Sequence, residues 1–398
     1  RSLVMSLPQN DETLQLGIAA SQGILGLGWR LLTPTVEATE VFEEGRAMAE
    51  KAGDLVSLAA LHGTYACVLG LVDGMSDEYV RHSLEATRLA DQTDNRGLQI
   101  AERAFLGFAC VFAGRLERGL ESYLEITGRF KADPALGMEF TGYSPLIGLM
   151  TSHAWFLARL GRIEEATEVR EEAQRVAREH GDSEVLTWLQ LSGIEIASMR
   201  ADPAAAHECA RIAREAGEES GTPQALFVGL ITLGTAHRLQ DDWDESVEVL
   251  EEAVKAVTGG SNRMVEGWVR SELSKSLLAR GDFGRAKQEA QTAVTVARTQ
   301  NSRCDEVRAI VALVNTQLQR ADATGLAQVD QELARAQALL DETGARFYQP
   351  LVHECRARLA QLRGDQPAAS RELEQARRLY DAMAAPLQLA RLANDPAQ

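Results

Sequence analysis

A chain of 398 residues with 45% hydrophobic but only 5% aromatic residues is long enough to bury a large core, and its formal charge of −17 excludes the basic footprint that nucleic acid or an anionic membrane surface requires. Cys67, Cys110, Cys209, Cys304 and Cys355 are odd in number and lack metal-like spacing, which predicts unpaired thiols in a reducing, cytoplasmic compartment. No run of 18 apolar residues predicts a membrane span, and the apolar part of Arg1 to Pro8 is too short for a secretory signal. That segment also lacks a starting methionine, so the chain is expected to be cut from a longer one, whereas the polar end Asn394 to Gln398 reads as a natural terminus.

In chain order, the first helix is predicted over Asp11 to Leu32. It carries Gly17, Gly23, Gly26 and Gly28, each costing about 1 kcal/mol in a helix interior. This predicts either a frayed cap over residues 1–33 or a face for close packing. Thr33-Pro34-Thr35 turns the chain into a second helix. Helix pairs follow at 55–72 with 77–92, and at 97–113 with 116–130. Lys131 to Pro145 holds several Gly and Pro punctuators and reads as an inserted, tolerated loop. Further pairs are predicted at 146–160 with 163–180, 184–199 with 204–219, 224–239 with 244–257, 264–280 with 283–299, 305–320 with 326–342, and 347–362 with 367–383. A tail at 385–398 closes the chain.

These pairs repeat. The turns begin at Pro34, Gly74, Gly114, Gly161, Ala201, Asp241, Gly281, Ala321 and Gly364, mostly 40 residues apart. A small residue tends to stand five places after the turn, as at Ala166, Ala206, Ser246 and Ala286. Alanine stands twelve places after it in six copies: Ala86, Ala173, Ala213, Ala253, Ala293 and Ala376. Two small residues seven apart share a helix face and let backbones approach. A fixed period of this size predicts an all-α array of about nine helix pairs, wound as one continuous right-handed superhelical solenoid over residues 1–398.

The pattern of glycine, aromatic and two alanines, carried here by Gly281, Phe283, Ala286 and Ala293, resembles the core of the tetratricopeptide repeat (TPR), with longer helices than the usual 34-residue unit. A second resemblance rests on Asp341 to His353 with Arg356, Leu359 and Arg363-Gly-Asp365, on Gly142-Tyr-Ser through Gly161, and on Ser2 to Leu16. These segments resemble the C-terminal region of bacterial proteins that join a class III adenylate or guanylate cyclase and a signalling ATPase to a helical-repeat arm. The resemblance implies a non-catalytic regulatory scaffold, the arm of a larger signalling protein, whose partner is a peptide, a protein or other domains of the same polypeptide. The alternatives are the sensing arm of an ATPase-type transcriptional regulator and a free-standing adaptor.

No motif carries catalysis. There is no phosphate-cradling G-x-x-x-x-G-K-[ST], no H-E-x-x-H, no C-x-x-C and no G-x-S-x-G, so no cofactor, metal or catalytic residue is predicted. His207-Glu-Cys209 and His353-Glu-Cys355 fall on non-equivalent helices and read as coincidence. A binding surface remains. The leading helix of each pair is expected to line the concave wall. Six places before the turns stand Val68, Phe108, Trp155, Glu195, Thr235, Lys275, Asn315 and Arg358; thirteen before stand Trp188, Trp268 and Arg308. With Arg238, the candidate binding residues are Phe108, Trp155, Trp188, Glu195, Arg238, Trp268, Lys275, Arg308, Asn315 and Arg358. Aromatic and arginine anchors in a groove suit a peptide or a partner helix. The competing reading for the tryptophans is core between repeats.

Overall fold

A computed structural model describes residues 10–129, 133–259, 263–319 and 323–394, and among them forms twenty α-helices and no strand. The resemblance segment at Ser2 to Pro8, the turn residue Ala321 and the chain end from 395 lie outside the described residues. Helix α1 (Asp11–Leu31) pairs with α2 (Thr35–Ala52), and α3 (Leu55–Cys67), extended by a π-turn at Val68–Val72, pairs with α4 (Ser76–Ala90). Then come α5 (Arg96–Ala113) with α6 (Leu116–Arg129), a short α7 (Met138–Thr141), and α8 (Pro145–Arg159) with α9 (Ile163–His180). The second half comprises α10 (Ser183–Arg200) with α11 (Pro203–Ser220), α12 (Pro223–Leu239) with α13 (Trp243–Gly259), α14 (Glu266–Arg280) with α15 (Phe283–Thr299), α16 (Arg303–Gln317) with α17 (Ala323–Thr343), and α18 (Gln349–Leu362) with α19 (Gln366–Ala382), ending on α20 (Pro386–Ala393). The chain is an all-α solenoid of TPR-like helix pairs.

The punctuation is local chemistry. Asp54, Asp182, Asp202, Asp282 and Asp365 each accept a backbone N–H three residues on, satisfying a donor that the first helical turn leaves open. At the turn positions Gly114, Gly161, Gly281 and Gly364 the backbone is left-handed, and so it is at Ala201 (φ 53°) and Asp241 (φ 65°), which carry a Cβ there at a cost. The small residues of the repeat are what bring the helices together: Ala166, Ala206, Ser246 and Ala286, with Ala173, Ala213, Ala253 and Ala293, are all fully buried. In the third pair the five-after position is Gly119, and a Cβ there would lie 2.1 Å from Phe156 Cζ. Phe156 of α8 fills the space that the other copies give to a methyl group.

Three expectations change. Helix α1 is a full 21-residue helix with a capping box, in which Asn10 and Thr13 exchange side-chain-to-backbone hydrogen bonds of 2.9 Å; Gly23 and Gly26 face open space, so they do not mark close packing among the described residues. The described part of the 131–145 insertion is anchored: the Arg30 guanidinium donates to the Thr141 carbonyl at 2.8 Å, and the buried Tyr143 ring lies 5.1 Å from Trp188. Leu55–Val72 proves long and apolar enough to cross a membrane by composition, but 78% of it is buried inside the protein, where a core helix meets the same criterion.

The winding is tighter than the pair period implies. Gln224 at the start of α12 donates to the Trp29 carbonyl near the end of α1, 195 residues earlier. Ser302 donates to Phe112 O at 3.0 Å and Arg303 to Ala113 O at 3.1 Å, each across 190 residues. Gln388 of α20 donates to Ser198 O of α10 at 3.2 Å, again across 190. In each case a leading helix meets one five pairs further on. The Trp29, Phe112 and Ala113 carbonyls, at C-terminal helix ends where intrahelical donors run out, are thus satisfied by side chains of the next turn.

Candidate functional site

The axis of this superhelix has two different contents. In the first turn it is filled by aromatic side chains: Trp29, Phe105, Phe108, Phe112, Tyr143, Trp155, Trp188 and Phe227 surround a residual void of about 50 Å³. Their rings meet edge to face, with Phe108 and Trp188 at 5.8 Å and Phe112 and Trp155 at 5.6 Å. Phe108 and Trp155 are buried and Trp188 is half-buried. The structure therefore places these three candidates in the core; Phe108 and Trp188 stand apart from the other seven, whereas Trp155 reaches them, its ring 6.0 Å from that of Trp268.

The second turn is hollow. The leading helices α10, α12, α14, α16 and α18 enclose an axial cavity of about 710 Å³, and α20 packs across it against α10. Glu195, Arg238, Trp268, Lys275, Arg308, Asn315 and Arg358 all line it. A shared register along five successive helices brings them together. A volume of this size accommodates a drug-sized ligand.

At the cavity wall Glu195, on α10, is only 3% exposed and accepts hydrogen bonds from Trp155 Nε1, the Arg159 and Arg308 guanidiniums, and the Tyr348 hydroxyl at 3.2 Å. Burial works against its charge, but Arg159 and Arg308 outweigh it and hold the carboxyl below its ordinary value. Asp305 lies 3.8 Å from Arg159 and 3.6 Å from Arg308, and Arg159 also donates to the Val111 carbonyl at 2.9 Å. The Arg308 guanidinium lies 4.0 Å from the Trp268 ring centre. The tryptophan of the wall is thus held from one face by a buried cation.

Beside this lies a second group. The buried Glu272 carboxylate takes Arg238 Nε at 2.9 Å and Lys275 Nζ at 2.7 Å. Burial again opposes the charge, and Lys275, Arg238 and Arg308 overcome it, bringing the carboxyl down to about 2. Burial and the two arginines push the Lys275 ammonium below its ordinary value despite Glu272. Glu354 and Arg391 form a two-bond pair at 2.7 Å near α20. Arg159, Asp305, Glu272 and Tyr348 were not among the sequence candidates. Arg159 stands two residues before a turn and Tyr348 in a 3₁₀ turn, and neither position follows the inner-face register.

Among the described residues no group of three or more His, Cys, Asp or Glu side chains could hold a metal ion, and the five cysteines are buried free thiols. Burial pushes Cys67, Cys110 and Cys355 up to about 12, so they are not thiolates at neutral pH.

No protein-family profile and no curated protein matches the chain. Solved structures do. A Rap protein complexed with competence and sporulation factor aligns over 94% of this chain and 99% of its own, at 10% identity and a TM-score of 0.59. The TPR-sensor signal-transduction ATPase PH0952 from Pyrococcus horikoshii aligns over 89% of this chain and 54% of its own, at 13% identity and a TM-score of 0.43. Aspartyl phosphate phosphatase F from Bacillus subtilis aligns over 94% of this chain and 95% of its own, at 10% identity and 0.44. The first of these likenesses supports the fold.

Proposed function

We propose that this chain is a non-catalytic regulatory scaffold that captures a peptide or a short segment of a protein in the axial cavity of its second turn. The observation that carries this reading is the cavity itself: about 710 Å³, lined by five successive leading helices that present Trp268, Asn315 and a set of charged side chains toward one axis. In a TPR-like array the inner wall is the surface available to an extended ligand. The Rap protein of similar fold is complexed with competence and sporulation factor, which favours a ligand-responsive regulator over a passive spacer. In its native setting the chain is the C-terminal arm of a larger bacterial, cytoplasmic signalling protein carrying cyclase and ATPase domains, and ligand capture biases those domains. The arm of an ATPase-type transcriptional regulator is the second setting that the same cavity serves.

Two measurements test this. An immunoblot of source cells with an antibody to the chain should show a band far above 43.4 kDa; a band at that mass removes the fused parent. Thermal unfolding of the purified chain should shift upward with the low-molecular-weight peptide fraction of the same cells, since a ligand bound to the native state alone stabilises it. The shift should vanish in Trp268→Ala. An unchanged melting temperature across all such fractions refutes capture in the cavity.

A further inference from the structure

Although the chain as a whole is strongly acidic, the cavity wall has an excess of positive charge. Arg308, Arg238 and Lys275 line it with the carboxylates Glu195 and Glu272; Arg159 and Asp305 also join this network but do not line the cavity, and they cancel one another. Arg358 on α18 also lines the cavity and has no ion pair or hydrogen bond to another described residue. Glu354 and Arg391 cancel one another, and Asp241 stands exposed at the rim. An unneutralised cation on the wall of a hollow with excess positive charge describes a place suited to an acceptor that carries negative charge.

Part of the remaining wall is apolar. Trp243, Trp268, Phe347, Leu351 and Val311 line the same space, and an inorganic anion would leave most of it unfilled. We infer that the cavity takes a short peptide by its free C-terminal carboxylate, seated at Arg358 with Lys275 lining the same hollow, and with the peptide's apolar side chains against Trp268 and Phe347. This deepens the proposed peptide capture and rests on it.

The test uses the full 398-residue chain and three probes: a random tetrapeptide library with free C-termini, the same library C-terminally amidated, and sodium phosphate. Retained peptides are counted by mass spectrometry after ultrafiltration, with phosphate added as a competitor. The expected result is retention of free-acid peptides roughly tenfold above their amides, the loss of one charge-assisted contact, with little displacement by millimolar phosphate. Arg358→Ala should erase that preference; its side chain has no partner to lose, so the fold is retained, and Lys275→Met provides a second variant. Equal retention of both libraries overturns the carboxylate proposal and leaves peptide capture standing. Full displacement by phosphate overturns it in favour of a small anion, and no retention of either library overturns both readings.

Discussion

Replacing Glu195 with glutamine removes one negative charge from the wall of the axial cavity and changes almost no volume. In the native protein that carboxylate is shared by Arg159 and Arg308, whose side chains are 0% and 5% exposed. After Glu195→Gln the two guanidiniums share Asp305 as their one remaining carboxylate, at 3.8 and 3.6 Å, so one buried positive charge is left uncompensated. Breaking a buried ion pair from one side costs about 3–5 kcal/mol, a large part of the roughly 5–15 kcal/mol by which a folded protein is stable. The assay is urea unfolding followed in parallel by tryptophan fluorescence, which reports on Trp155 and Trp268 next to the network, and by far-ultraviolet circular dichroism. The midpoint should fall with little change of slope. A companion variant sharpens the argument. Arg159→Met, Glu195→Leu, Asp305→Asn and Arg308→Met together remove all four charges of the hub and so leave no net buried charge, and should be less destabilised than Glu195→Gln alone. A loss below about 1 kcal/mol for the single variant, or a quadruple variant weaker than the single, refutes the claim that uncompensated burial decides the cost.

Three other outcomes follow from particular residues. Glu102 is wholly buried without a partner for either oxygen, and burial pushes its carboxyl well above the ordinary value. A raised folded-state value means that its contribution is intact below the unfolded value of about 4.3 and is lost as pH rises toward the folded one. The melting temperature of Glu102→Gln should therefore match wild type near that lower limit and exceed it increasingly as pH rises through neutrality; a constant difference contradicts this. Glu272 behaves oppositely. Its carboxyl is held at about 2 against an ordinary 4.5, so its roughly 3 kcal/mol is present above that ordinary value and lost as pH falls toward 2. Glu272→Gln should flatten the acid limb of stability measured by urea midpoint. Ala201→Gly, at a left-handed turn position where other copies use glycine, should stabilise the chain by about 1 kcal/mol in the same assay.

Much of the fold was legible because the repeat writes its own geometry. Alanines seven apart require helices in close contact, and an aspartate such as Asp182, Asp202, Asp282 or Asp365 starts a helix where it stands. The inner-face register was also legible. A count of six or thirteen residues back from each turn led to Glu195, Trp268, Lys275, Arg308, Asn315 and Arg358, which share one cavity. The count could not distinguish Trp155 from Trp268, because both hold the same kind of position on their helices. What separates them is the number of pairs per superhelical turn, which the first turn fills with aromatics and the second leaves hollow. That number depends on small rotations summed over many helices, and no single spacing records it. Arg159 and Tyr348 escaped for the same reason. They reach Glu195 from pairs one before and four after its own, across the axis rather than along the chain.

The contacts between a helix and its counterpart five pairs later have a consequence for how the chain comes into being. An open solenoid can grow from either end, each unit resting on the one before. Here Trp29 O and Phe112 O wait for donors that lie 190 residues or more further along. During synthesis the first turn emerges with its helix ends uncovered and must persist in that condition until the second has been made. Contacts of such long sequence separation slow folding. They also tie the ends of the array into one cooperative body, so that removing the last pairs should loosen the first.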